Sequence, residues 1–327
     1  VAAGSSLILD EIHQPRNSLS LKMTPFILLT TVLTHLFGGS AGREGTAVQM
    51  GGALADQVAR WFRVSAIERK ALLIAGLGAG FGAAIGTPVA GFVFGMEVIR
   101  GKNRIFPWFE SLLAAGSSYA TALLLRAPHS YFPQVVIPPL GFLTLFWVAV
   151  AAVAFGIAAR IFIEGTHRLE RGFVQVIRYP PFRPAVGGLL LLVLFWFEGS
   201  DRYAGLGIPV IQEALTQPGR TLDPLLKAVF TSVTLGSGFK GGEFIPLVFI
   251  GVTLGSALGL WLPLPQVFLA SLGFAAVFAG AAGAPIACAV MAVEIFGVSM
   301  APYAFAACLI SALFRGSRTI YKRSAST

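Results

Sequence analysis

Two short runs place a carboxylate among glycines between long apolar stretches: Gly42-Arg43-Glu44-Gly45-Thr46 and Gly241-Gly242-Glu243-Phe244-Ile245-Pro246. A charge at that depth in apolar sequence is costly, and such residues mark ion pathways or proton relays. Glycines on both sides of Glu44 permit tight turns and close approach of an ion. The helix that follows is predicted to begin near Thr46 and to run through Val48, Met50, Leu54 and Val58. Its free N–H groups would form an anion site. A carboxylate placed there competes with the anion, and protonation releases it, so one residue would be both gate and proton carrier. The plain alternative is a glutamate that only complements the helix dipole; the apolar setting favours the gate. Arg43 is expected to hold the loop through carbonyls or a carboxylate rather than to touch an anion. Thr46 and Gln49 either line a pathway or cap the helix. In the second run, Pro246 suits the first turn of a helix. The N–H groups of Phe244 and Ile245 are candidate anion donors, and Lys240 either pairs with Glu243 or marks an aqueous mouth.

The elements that carry these runs are membrane helices. A mean hydropathy of +0.77 with 12% charged residues excludes an ordinary soluble domain. Between Phe244 and Phe314 the only charged side chain is Glu294, and between Ala71 and Ile99 the only one is Glu97. Thr24–Phe37, Pro107–Leu125, Pro139–Ile163 and Ala185–Phe197 are further apolar spans. Several are short or broken by Gly and Pro, which predicts tilted and discontinuous helices around a buried cavity. The net charge of +9 does not indicate nucleic acid. Lys and Arg sit in short connectors and in the tail Arg315/Arg318/Lys322/Arg323, the pattern of cytoplasmic loops. Cys288 and Cys308 lie in apolar segments and are expected to be buried thiols.

The chain repeats itself. Gly80–Ala90 and Val277–Ala287 share a small-residue helix, a Gly-x-Pro break and a following glutamate. Pro88 to Pro285 and Glu97 to Glu294 are each 197 positions apart, and Glu44 to Glu243 is 199. The reading is one membrane domain of two repeats, about 1–165 and 166–327, joined near a charged connector at Glu164–Phe182. Such halves meet at the bilayer midplane, where broken helices point their N-termini at an anion. Glu97 and Glu294 are expected to make matched structural contacts. The glycines of Gly76–Gly86 are expected to serve close helix packing; no Lys-Ser/Thr follows them as a phosphate loop requires. No His-Glu-x-x-His, Cys/His cluster or Gly-x-Ser-x-Gly run is present, so no metal, cofactor or enzymatic activity is expected.

At these residues the chain resembles the CLC family of anion channels and proton-coupled anion antiporters. That family carries Gly-Arg-Glu-Gly-Pro at its gating glutamate and Gly-x-Phe-x-Pro at the second-half helix, and the resemblance runs from Gly4 to Tyr321. It implies an all-α polytopic membrane protein, an inverted repeat of tilted and broken helices, acting as a homodimer in a lipid bilayer. It also implies N-terminal truncation, since in the family two or three helices precede the Gly4-Ser5-Ser6 loop; the chain starts at Val1 without Met. Three departures resemble the fluoride-exporting branch: Gly4-Ser5-Ser6-Leu7-Ile8 replaces Gly-Ser-Gly-Ile-Pro, Thr46 replaces Pro, and Val98 stands where many members carry an inner proton-accepting glutamate. The runs Leu9–His13, Glu44–Gln49 and Phe239–Glu243 are similar to that branch as well. Its members often carry Val-Thr where this chain has Phe244-Ile245. The resemblance therefore implies a fluoride/proton antiporter of the inner (plasma) membrane, with a chloride/proton antiporter or chloride channel as the alternative. Its partners are fluoride or chloride ions and protons. Glu44 is then the gating and proton-carrying residue, and Ser5, Ser6, Gly42, Arg43, Gly45, Glu243, Phe244, Ile245 and Tyr321 are the anion-binding set. A polytopic membrane enzyme lacks a nucleophile or metal constellation, and a structural or receptor protein leaves two matched acidic helix starts unexplained.

Overall fold

The computed structural model describes residues 4–13, 19–99, 106–316 and 318–321, with the side chains of residues 4–6 outside that description. The described residues form fourteen α-helices and no strand. The first half contains α1 (Gly4–His13), α2 (Met23–Leu36), α3 (Glu44–Trp61), α4 (Ala66–Ile85), α5 (Pro88–Glu97) and α6 (Trp108–Leu124). The long α7 (Phe142–Val176) leads to α8 (Phe182–Glu198), α9 (Ile208–Ala214), α10 (Asp223–Gly236), α11 (Phe244–Leu258) and α12 (Gln266–Phe278). A single π turn (Ala279–Gly283) joins α12 to α13 (Pro285–Phe296), and α14 (Ala301–Phe314) completes the body.

The apolar spans named from sequence fall on α2, α6, α7 and α8. The charged connector expected at Glu164–Phe182 differs: the helix continues through it to Val176. Its arginines and glutamate lie on exposed helical surface, where Glu164 forms i,i+4 pairs with Arg160 and Arg168. Helix α3 also begins two residues earlier than predicted, at Glu44 itself.

Two helices, Phe142–Val176 and the run Gln266–Gly283, are long and apolar enough to cross a membrane. Large apolar side chains are exposed along α2 (Phe26, Leu29, Leu36), α6 (Leu112, Leu113, Leu124) and α8 (Leu189, Leu192, Trp196). An apolar surface of that extent is suited to lipid. By contrast, α11 and α12 are buried nearly all round and form the centre of the body. They touch backbone to backbone: a Cβ on Gly251 would strike the carbonyl of Gly273, and one on Gly273 the carbonyl of Gly251. The glycines of α4 do the same work, Gly76 against Gly51 and Gly78 against Gly91.

The repeat is visible in the broken helices. Helix α4 stops at Gly86 (φ 91°), and Pro88 opens α5. The π turn ends at Gly283 (φ 69°), and Pro285 opens α13. Thr87 and Ala284, the residues between, share nearly one conformation, with φ/ψ of −125°/80° and −124°/65°. Each break frees two N–H groups, and a carboxylate from the other half accepts them. Val89 and Ala90 donate to Glu294 at 3.0 and 2.7 Å. Ile286 and Ala287 donate to Glu97 at 2.9 and 2.7 Å. The matched structural contacts expected of these two glutamates are therefore a reciprocal exchange of helix caps. Cys288 and Cys308 are buried and free.

The backbone contact between α11 and α12 sets a stability prediction. Gly251→Ala should destabilise the fold by about 1–3 kcal/mol through overpacking, read as a lower thermal midpoint in detergent. Gly165→Ala, on α7 where nothing lies within 4 Å, should leave the midpoint unchanged or raise it. Equal midpoints for Gly251→Ala and the parent would contradict the packing argument.

Candidate functional site

The two acidic runs meet. Helices α2 and α10 each end in a left-handed glycine, Gly38 (φ 75°) and Gly238 (φ 101°), and a short loop then carries the chain to α3 or α11. In the middle of these loops Gly42 and Gly242 form an antiparallel pair. The Gly42 N–H donates to the Gly242 carbonyl and the Gly242 N–H to the Gly42 carbonyl, both at 2.7 Å. Side chains are excluded at the crossing: a Cβ on Gly45 would lie 2.9 Å from the Gly242 Cα, and one on Gly242 would lie 2.6 Å from the Gly45 nitrogen. The N-termini of α3 and α11 are thereby brought together, and their unpaired N–H groups face a common space.

Glu44 occupies that space. Its residue is 3% exposed, and the Arg43 N–H donates to its Oε2 at 3.0 Å. The backbone N–H of Ile245, across the junction, also lies in reach of the carboxyl. The Arg43 guanidinium is a weaker partner, with Nε 3.9 Å from Oε1 and nearly half of the side chain exposed. It also reaches the Pro128 carbonyl at 3.5 Å, so Arg43 contacts both a loop carbonyl and a carboxylate. The carboxyl therefore sits at the paired N-termini of α3 and α11.

Beside it is a small cavity of about 10 Å³ lined by Glu44, Gly45, Glu243, Phe244 and Tyr321, with Val48, Phe81, Phe278 and Ile320 completing the wall. That volume is on the order of one water-sized particle. Three rings wall it in: Phe244 stands edge-on to Phe278 at 4.7 Å and to Phe81 at 5.4 Å. Tyr321 is held at the cavity by the Ile320 N–H, which donates to the Ala281 carbonyl at 3.0 Å.

Of the residues singled out from sequence, five line the cavity: Glu44, Gly45, Glu243, Phe244 and Tyr321. Gly42 and Arg43 sit one step behind it, with their N–H groups committed to Gly242 and to Glu44. Ile245 reaches the Glu44 carboxyl through its backbone. The side chains of Ser5 and Ser6 lie outside the described residues. Lys240 is exposed. Thr46 neither caps nor lines: its hydroxyl bonds Thr31 at 2.7 Å. Among the described residues no His/Cys/Asp/Glu group is placed to hold a metal ion. His13, His35 and His129 each lie against a backbone carbonyl, those of Leu9, Thr31 and Ala83.

Several supporting residues escaped the sequence reading. Ser40 is fixed twice by α10: its N–H donates to the Thr234 hydroxyl at 3.0 Å and its own hydroxyl bonds Thr231 at 2.9 Å. His35 meets the Ala41 carbonyl at 3.1 Å. These contacts hold the loop that presents Glu44. The available signal was the cluster of hydroxyls Thr231, Ser232 and Thr234 between apolar residues of α10. One turn before Thr231, Lys227 is fully buried, donating to the carbonyls of Tyr203 and Gly205 at 3.1 and 2.9 Å and lying over the Phe249 ring.

Comparison with known proteins agrees with this geometry. Residues 1–316 match the protein family described as voltage gated chloride channel. The chain is 45% identical to a chloride/fluoride channel protein of Pseudomonas syringae pv. tomato, over 98% of this chain and 73% of that protein. It is 28% identical to the voltage-gated ClC-type chloride channel ClcB of Escherichia coli, over 90% of this chain and 73% of that one. Among solved structures it is similar to a CLC-type fluoride/proton antiporter, with a TM-score of 0.93 and 32% identity over 97% of this chain and 81% of that one. A slow cyanobacterial Cl⁻/H⁺ antiporter shares the fold, with a TM-score of 0.81 at 20% identity. The reciprocal caps, the paired acidic helix starts and these matches together make this chain a member of the CLC family of voltage-gated chloride channels and antiporters.

Proposed function

We propose that this membrane protein exports fluoride across the inner (plasma) membrane in exchange for protons. The observation that carries the reading is the Glu44 carboxyl, buried against the N–H groups of Arg43 and Ile245 beside a cavity of about 10 Å³. A negative carboxylate there holds the place of an anion. A proton taken up by Glu44 removes its charge and its hold on those N–H groups, and an anion takes the vacated donors. Reversal returns the proton on the other side. Exchange follows because the carboxylate and the anion cannot hold the donors together.

In this reading Glu44 gates and carries the proton. The anion contacts come from Gly45, Glu243, Phe244 and Tyr321 at the cavity, with Gly42, Arg43 and Ile245 setting the donors. The two halves, 1–165 and 166–327, join within α7, and two copies form a homodimer in the bilayer with one pathway each. Closely placed N–H and O–H donors suit fluoride. A small anion is a strong hydrogen-bond acceptor, and charge-assisted bonds are the shorter and stronger ones. The relative named a chloride/fluoride channel and the similar fluoride/proton antiporter support the same assignment. A chloride/proton antiporter or chloride channel is the second reading, favoured by Phe244 and Ile245, neither of which offers a hydroxyl.

Three measurements test this. Proton movement driven by a fluoride gradient across liposomes should fall to background for Glu44→Gln, because a neutral amide carries no proton; persistence at the parent rate would remove Glu44 from the mechanism. Tyr321→Phe deletes one O–H donor at the cavity. A hydrogen bond to a charged group contributes about 1.5–3 kcal/mol, so fluoride binding by calorimetry should weaken roughly 10- to 100-fold with dimer assembly intact. Equal affinity would leave Tyr321 as a plain anchor. Finally, efflux from matched liposomes should be faster for fluoride than for chloride, and equal rates would move the assignment to the chloride reading.

A further inference from the structure

Four arginines that the transport reading leaves unused gather at one place. Helices α7 and α14 cross tightly at Gly156, where a Cβ would lie 2.6 Å from the Ser311 carbonyl and 2.9 Å from the Phe314 Cβ. Beyond that crossing the two elements diverge, and a cavity of about 350 Å³ opens between them. Arg160, Glu164 and Arg168 enter it from one face of α7, and Arg315 and Arg318 from the turn that follows α14. Glu164 lies between two arginines, accepting from Arg160 at 2.9 Å and from Arg168 at 3.1 Å. The turn is shaped by its own contacts: Arg315 donates to the Ala312 carbonyl at 3.0 Å and to the Arg318 carbonyl at 3.3 Å. Gly316 has φ 84° and faces the Arg160 guanidinium, 3.8 Å from where a Cβ would sit. No side chain at that position shields Arg160.

Four guanidiniums thus face one carboxylate across a partly enclosed space. One carboxylate leaves a net excess of positive charge there, and an anion entering the space would be attracted to it. Guanidinium forks match phosphate oxygens in pairs. The same two helices expose Ile157, Ile161, Leu313 and Phe314, an apolar margin beside the charged cavity. A basic pocket between membrane helices flanked by apolar surface is the chemistry that recognises lipid phosphate.

We propose that this cavity binds a phosphate group, supplied by an anionic phospholipid headgroup or by free inorganic phosphate. Its position ties it to the anion site. From Arg318 the chain runs directly to Tyr321, with the Thr319 hydroxyl donating to the Tyr321 carbonyl at 2.9 Å and Ile320 bonded to Ala281. A phosphate bridging Arg318 to α7 fixes the segment that carries Tyr321.

The test is native mass spectrometry of the purified protein titrated with phosphatidylglycerol, with a parallel arm in which inorganic phosphate is the competitor. The double variant Arg160→Gln/Arg318→Gln should weaken lipid binding roughly tenfold or more. Arg168→Gln, at a side chain 71% exposed, should weaken it in the same direction without risk to folding. Arg60→Gln/Arg63→Gln removes the same charge from exposed positions elsewhere and should leave binding unchanged. Displacement by inorganic phosphate identifies free phosphate as the ligand, and lipid retained against it identifies the headgroup. Equal weakening by both double variants means diffuse surface attraction and overturns the proposal, as does the failure of the parent to bind either probe. None of these readouts uses transport, so they stand apart from the fluoride assignment.

Discussion

The pair of hydrogen bonds between Gly42 and Gly242 is the contact on which the site depends. Two helix N-termini carry partial positive charge and would repel if merely pushed together. Here the loops before them satisfy one another first, at 2.7 Å in both directions. That exchange demands glycine at the crossing, since a side chain on Gly45 or Gly242 would meet backbone. Once the crossing exists, the first N–H groups of α3 and α11 share one small volume, where an anion or a carboxylate satisfies them best. Glu44 is the first residue of α3, so the carboxylate is supplied by the element that creates the need for it. Ser40, tied to Thr231 and Thr234, keeps the loop from swinging out of register with α10.

The same problem arises at the Gly-x-Pro breaks and is met differently. There the freed N–H groups receive permanent carboxylate caps, Glu294 for α5 and Glu97 for α13. An uncapped donor in an apolar body costs several kcal/mol, so these two glutamates belong to the structure. Four acidic residues stand at or near helix ends in the two matched motifs: Glu44, Glu97, Glu243 and Glu294. Glu97 and Glu294 each accept two well-aligned N–H bonds. Glu44 shares its donors with a cavity beside it and Glu243 lines that same cavity.

Much of this was legible in the chain itself. The 197-residue offset located both broken helices and both capping glutamates, because glycine, proline and a lone charge are informative against an apolar background. Helix interiors were legible for the same reason, while ends were not. Glu44 joined α3 because the Gly42–Gly242 pair ends the loop before it, a contact between residues 200 apart that no local pattern encodes. The connector at 164–182 read as a loop from its charge, whereas its spacing of Arg160, Glu164 and Arg168 is helical and places all three on one surface. The ring wall of Phe81, Phe244 and Phe278 was illegible because phenylalanine is common throughout such a chain, 27 of 327 residues, and only tertiary structure selects which three meet.

The reciprocal caps have a bearing on how the two halves depend on each other. A free-standing half would carry an unmet pair of donors at its own break and an unused carboxylate at its own helix end. Neither can serve the other within that half, because Glu97 reaches Ile286 and Ala287 while Glu294 reaches Val89 and Ala90. A second copy in two-fold relation supplies both missing partners at once. The two halves are therefore joined by hydrogen bonding as well as by the chain, and a substitution in either glutamate is felt by the helix of the opposite half.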